Sequence, residues 1–369
     1  MKKTAWRSVL GTPHQLAICV VLLSFALLAA SCETVPWTRV SLSDKQLREL
    51  EGHARFPDEL GLRLAIDQGM GPRRVTGFYA HDSRIVDGVA LIDMSANKTS
   101  IPVVEAVIDG RRFPAAIDTG ASISIAGIRT LRDAGIVPLG PPLAMFNSVT
   151  FDGTRRPVLA VAPTFALGDI ELRNVPFAVL SRIPGMVEFL RGPVREIDLL
   201  IGQDLLRRFG SVTFAPGKGE VRFAGVQSER PLSPVRPVGA ADLVDGNNGI
   251  PRFQATINNQ GPVDVIFDSG GGFGLWVPQS VADRIGLSGS REPMEIRVAN
   301  RIFQPSLSRP VPKCVMRIGG LAIAQLTTYV GEIEGGKSSP DFVLLGNHVL
   351  RKYGVRMNYR DKKIEFLAR

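Results

Sequence analysis

The sequence predicts an all-β chain built as two related domains in tandem. Three observations lead there. The 369 residues exceed what one ordinary domain needs. With 38 glycines and 26 prolines, the chain is punctuated for many short strands and turns rather than for helical bundles. Finally, the second half repeats a set of residue patterns from the first, in the same order. At 44% hydrophobic and 21% charged, the chain is too apolar to be a disordered tail.

The elements follow in chain order. Residues 1–31 have a basic start, an apolar middle (Leu16–Ala30) and small residues at the end, the form of an export signal. The apolar stretch is short for a bilayer span of roughly 20 residues. Leu28-Ala29-Ala30-Ser31-Cys32 resembles a bacterial lipoprotein signal, although Ala29 stands where that pattern prefers Leu. The resemblance implies cleavage before Cys32 and lipidation of its thiol. The protein would then be an envelope lipoprotein facing the periplasm or the exterior. A plainly cleaved signal and an uncleaved anchor are the alternatives.

Of the three cysteines, Cys19 falls in the leader and Cys32 at the cleavage point, which leaves Cys314 without a disulfide partner. The His residues outside the leader, His53, His81 and His348, show no ligand spacing, so neither a metal site nor a cofactor is expected. Three positive charges of the formal +9 (Lys2, Lys3 and Arg7) belong to the leader, and the remainder are scattered. No basic run suits a nucleic-acid arm. Residues 32–95 read as an extension: a spacer, a docked layer of strands or an inhibitory segment. Leu42–Arg55 is helix-like, and Arg74–Met94 has room for strands.

The repeat spans a first lobe at 96–228 and a second at 249–369, joined by a proline-rich linker at 229–248. Val104–Gly120 matches Phe253–Gly270; each reads as a strand, a turn (Asp109-Gly110 or Asn258-Asn259) and a second strand ending at an Asp. Each Asp-Thr/Ser-Gly leads into a short apolar run and a helix-like piece, Ile128–Ile136 or Gln279–Leu287. Further on, Leu199–Gly210 matches Val343–Gly354, and each half closes with a hairpin, Val212–Phe223 or Val355–Phe366. Asp118 and Asp268 lie 150 residues apart, and each precedes its apolar-apolar-Gly by a similar distance, 84 and 78 residues. A single such Asp is by default a turn residue. Two in a duplicated frame are candidates for paired acid–base chemistry.

Ile117-Asp118-Thr119-Gly120-Ala121-Ser122 with Leu200-Ile201-Gly202, and Asp268-Ser269-Gly270 with Leu344-Leu345-Gly346, resemble the aspartic proteases. The local words are closer to the retropepsin branch, here with both halves fused in one chain. The resemblance implies two closed β-barrel-like lobes of six strands, related by a pseudo-twofold axis. It implies Asp118 and Asp268 as the catalytic dyad, sharing one proton and activating a water between them. Thr119 and Ser269 would hydrogen-bond across the junction, while Gly120 and Gly270 leave room for close approach. The substrate would be an extended peptide or protein segment bound by strand-like hydrogen bonds. With both lobes in one chain, a monomer is expected.

Two hairpins stand where the family carries its flap: Ser148–Pro157, turning at Asp152-Gly153, and Ile296–Gln304. Neither holds the Tyr that the pepsin branch keeps there. Ala121 and Gly271 replace the hydroxyl residue that pepsins carry after Asp-Thr/Ser-Gly. That loss of a donor implies a more basic dyad and activity in mildly acidic conditions. The run Gly270-Gly271-Gly272-Phe273-Gly274 is looser than its counterpart and raises the question of an impaired second lobe. Two other readings stay open: a non-catalytic peptide-binding lipoprotein using the same cleft, and an envelope scaffold.

Overall fold

The computed structural model describes residues 62–67, 74–80, 89–93, 101–136, 158–180, 197–228, 236–246, 249–287, 294–296, 306–331 and 341–369. The leader with Cys32, the helix-like stretch at 42–55, and the hairpin holding Asp152 and Gly153 lie outside these residues.

Ahead of the repeat, β1 (Leu62–Asp67) and β2 (Arg74–Ala80) form an antiparallel hairpin. β3 (Val89–Asp93) follows. The first lobe comprises β4 (Val103–Ile108), β5 (Arg111–Ile117), β6 (Ile125–Gly127), β7 (Val158–Leu167), β8 (Ile170–Leu180) and β9 (Leu199–Ile201). These six strands close into a barrel in the order β4-β5-β9-β6-β8-β7. α1 (Ile128–Asp133) and the single turn α2 (Gln203–Leu206) decorate it, and β10 (Ser211–Ala215) and β11 (Glu220–Ala224) leave it as a hairpin.

The second lobe repeats this plan. β12 (Pro237–Asp242) and the short β13 (Val244–Asp245) lead into β14 (Pro251–Ile257), β15 (Gln260–Asp268) and β16 (Leu275–Val277). After α3 (Gln279–Arg284) and β17 (Met294–Ile296) come β18 (Ser306–Ile318), β19 (Leu321–Val330) and β20 (Phe342–Gly346). Pairing of β14 with β18 closes β14-β15-β20-β16-β19-β18 into a six-stranded ring. The lobe ends in the hairpin of β21 (Tyr353–Asn358) and β22 (Lys363–Ala368). The expected two closed lobes are therefore present.

Local chemistry accounts for the repeated turns. Asp109 and Gly110 have φ of 45° and 79°, and Asn258 and Asn259 have 49° and 64°. Both pairs are two-residue hairpin loops with left-handed backbone, which Asn, Asp and Gly tolerate best. α1 and α3 each end at a left-handed glycine, Gly135 and Gly286, followed by a buried aliphatic residue, Ile136 or Leu287. Their amides return to Leu131 and Ala282 carbonyls at 2.7 and 2.8 Å, closing the helix ends.

A third sheet joins the lobes, in the order β12-β22-β21-β10-β11-β3. Its middle pair is antiparallel, with Ser211 opposite Asn358 and Phe214 opposite Val355. Alternation sends Val212, Phe214, Val221, Phe223, Val355, Met357, Ile364 and Phe366 into one continuous core shared by both lobes. Two strands of this sheet, β3 and β12, lie in the stretches that composition marks as extension and linker. As the two edges they need only one partner each, and β12 is half-exposed along its length, so neither shows an apolar alternation. Pro237 starts β12, where a missing N–H is tolerated.

Candidate active site

Each Asp sits where β5 or β15 runs out beside the apolar-apolar-Gly strand. β5 pairs in parallel with β9, placing Ile117 opposite Ile201. β15 pairs in parallel with β20, placing Asp268 opposite Gly346. The long spacings in the sequence are thus the lengths of chain needed to return a strand alongside the acid loop.

The two loops meet and clasp one another. The Thr119 hydroxyl donates to the Phe267 carbonyl at 2.5 Å and accepts the Ser269 amide at 2.9 Å. Reciprocally, the Ser269 hydroxyl donates to the Ile117 carbonyl at 2.6 Å and accepts the Thr119 amide at 3.0 Å. Both hydroxyl residues are fully buried. All four backbone groups at the seam are satisfied by the opposite lobe, which fixes its register.

This clasp brings Asp118 and Asp268 together, with a hydrogen bond between their carboxyl groups. Gly120 and Gly270 make the approach possible. A methyl on Gly120 would lie 2.7 Å from Asp268 Cγ, and one on Gly270 would lie 2.7 Å from Asp118 Cγ. Gly120 N–H also donates to Asp118 Oδ1 at 2.9 Å. Ala121 N–H adds a second donor to Asp118, while Gly270 and Gly271 N–H donate to Asp268.

Burial holds Asp118 above the ordinary carboxylate range, against the pull of these amides. Asp268 is pushed well above it, by burial first and then by the adjacent charge of Asp118. Such a pair retains one proton between its members. Both aspartates still keep part of their surface open to solvent. The arrangement can therefore polarise a water from two sides, one carboxylate accepting a proton while the other donates. Among the described residues, no three His, Cys, Asp or Glu side chains converge as metal ligands would.

Four supporting residues were not singled out from the sequence. Gln203 Nε2 donates to the Thr119 carbonyl at 2.8 Å, and Asn347 Nδ2 donates to the Ser269 carbonyl at 3.2 Å. Their signal was available, because both are amides directly after the glycine of the repeated word. Ser124 and Asp204 support the first lobe alone. Gly202 N–H donates to Ser124 Oγ at 3.1 Å, and Ser124 donates to Asp204 Oδ1 at 2.5 Å. In the second lobe Gly346 N–H reaches the Gly274 carbonyl directly, at 2.9 Å. Comparing the halves hides this pair, since Gly274 and His348 stand in their places.

Thr119, Gly120, Ser269 and Gly270 thus all meet at the two acids. Asp152 and Gly153, the first flap turn, and Cys32 fall outside the described residues. Of the second flap candidate, Ile296–Gln304, only Ile296 is described; it ends β17, which pairs with β18 from Met294↔Ser308 to Ile296↔Ser306.

A family model agrees with this placement of the two acids. Described as "Aspartyl protease", it matches residues 104–205 and again 253–349. Among solved structures, an aspartic proteinase from Irpex lacteus is similar at 12% identity and a TM-score of 0.46, covering 76% of this chain and 97% of its own. No curated protein matches the chain in sequence. The family model covers more than half of the residues, once in each lobe around each acid, and the chain belongs to the aspartyl protease family.

Proposed function

We propose that the protein is an aspartic endopeptidase that hydrolyses peptide bonds with water activated between Asp118 and Asp268. The observation that carries this reading is the pair of carboxyl groups hydrogen-bonded to each other over the Thr119–Ser269 clasp. The ionised carboxylate takes a proton from water as the water oxygen bonds to the scissile carbonyl carbon. The protonated partner gives its proton to the carbonyl oxygen, forming a neutral tetrahedral diol. As the diol collapses and the C–N bond breaks, one diol hydroxyl returns its proton to the ionised carboxylate while the protonated one gives its proton to the leaving nitrogen, which restores the starting protonation state. The substrate is an extended peptide, and a monomer suffices because both acids belong to one chain. Cys32 is the lipidation site, holding the enzyme on a membrane of the cell envelope.

A mixed peptide library incubated from about pH 4 to 7 tests the chemistry. Cleavage by residues 33–369 that is lost in both Asp118→Asn and Asp268→Asn supports it. Retained peptide binding with no cleavage by the parent would instead make the cleft a recognition site. For the anchor, Cys32→Ser in the full chain should release the protein from membranes and abolish labelling with a fatty-acid probe.

A further inference from the structure

Among the glycines after Ser269, Gly271 has a steric reason that lies in Phe273. The ring of Phe273 folds back over the acid loop. A methyl on Gly271 would meet ring Cε1 and Cζ at 2.7 Å, and Asp268 Oδ2 at 2.8 Å. A methyl on Gly346 would meet ring Cδ2, also at 2.7 Å. The ring therefore rests on two glycines, with its edge and the Asp268 oxygen closing on the same point. Trp276, which is buried, supports it edge-on with ring centres 6.2 Å apart. Phe273 itself remains partly exposed.

The first lobe is built differently. Ala121 carries the methyl that Gly271 lacks. Around Gly202, the counterpart of Gly346, the nearest atoms are backbone atoms of Ile123 and Ala121, with no ring among them. An aromatic edge against one acid and a methyl group on the other side breaks the pseudo-twofold symmetry at the dyad.

We propose that Phe273 is a positioning residue that shields Asp268 from water, making Asp268 the proton-carrying acid and Asp118 the base that receives the proton of the attacking water. A carboxyl group with an apolar ring beside it loses hydration of its charged form and keeps its proton more firmly. The kinetic consequence rests on the hydrolytic reading above, whereas the placement of the ring beside Gly271 and Asp268 does not.

The test uses NMR titration of aspartate carboxyl carbons in the parent, Phe273→Ala and Phe273→Leu, with Asp268→Asn to assign the dyad signals. Removing the ring should lower the upper titration step by roughly one pH unit. Leu should give a smaller shift of the same sign. If the parent cleaves peptide, the basic limb of its kcat profile should move down with that step. An upper step unchanged in both variants overturns the inference, and Phe273→Leu alone decides it if the Ala variant does not fold. A second arm compares Gly271→Ala with Gly271→Ala/Phe273→Ala by thermal unfolding. The single change should destabilise and the double should recover part of the loss, since the clash with Asp268 remains; strictly additive losses would contradict the contact of ring and glycine. A parent without cleavage but with the shift refutes hydrolysis and leaves this inference standing, while cleavage without the shift does the reverse.

Discussion

Ser124 hands its hydroxyl proton to a hydrogen bond with Asp204 at 2.5 Å, and thereby ties the start of β6 to the strand–helix junction at Gly202. Asp204 is fully enclosed. Burial raises its carboxyl to about 6, against the hydroxyl and amide of Ser124, the nearby charge of Arg208 and the Leu205 amide. Arg208 is buried in turn and lowered to about 10. The strand–helix junction at Gly202 therefore leans on an ionisable clamp, and its counterpart at Gly346 on the Gly274 carbonyl.

Asp204 should make the fold more stable in acid. Its folded value lies above the unfolded 3.8, so the folded state binds the proton more tightly. That contribution is complete below about pH 3.8 and is lost as the pH rises through about 6. Asp204→Asn removes it. The stability difference between parent and variant, from urea unfolding, should shift against the parent by about 1–3 kcal/mol between pH 4 and 7. A difference independent of pH would show that Asp204 does not titrate there.

The clasp should be worth more than an ordinary pair of hydrogen bonds. Thr119→Ala strands the buried Phe267 carbonyl and Ser269 amide, and Ser269→Ala strands those of Ile117 and Thr119. Each change should cost about 2–4 kcal/mol by denaturant unfolding. Thr119→Ser keeps both bonds and should recover most of the loss.

Steric separation of neighbouring glycines gives a further check. Gly120→Ala drives a methyl into Asp268 and should lower kcat/KM by roughly a hundredfold or more. Gly272→Ala meets nothing within 4 Å, its backbone is not left-handed, and it should leave kcat/KM within about twofold. Equal losses in the two variants would indicate general disruption of the loop.

Both dyad acids are raised by burial, and neither loop offers a side-chain hydroxyl to its outer oxygens, since the positions hold Ala121 and Gly271. The kcat/KM profile should therefore peak in mildly acidic solution, between roughly pH 4 and 6. A maximum below about pH 3 would mean that the amides around the carboxylates outweigh their desolvation.

Much of this was legible in the chain because duplication prints each signal twice. Asp109-Gly110 and Asn258-Asn259 announced left-handed hairpin loops, and the glycines after α1 and α3 announced their ends. The acids were legible as a pair because each precedes its apolar-apolar-Gly by a similar interval. What escaped was whatever one lobe does alone. Ser124 and Asp204 have no counterpart, and Phe273 looked like an interruption in a glycine run until its ring was placed. The edge strands β3 and β12 escaped for another reason. Backbone pairing at a sheet margin asks little of side chains, and so leaves little pattern to read.

The seam between the lobes is a ladder of main-chain bonds, not a tether. Where β10 meets β21, residues 211–214 and 355–358 run antiparallel about the pseudo-axis, flanked on both sides by further strands. Relative movement of the halves on this joint has to deform a paired sheet. Twisting is the deformation such a sheet accepts most readily, so opening of the cleft would be shared among its six strands rather than concentrated at a hinge.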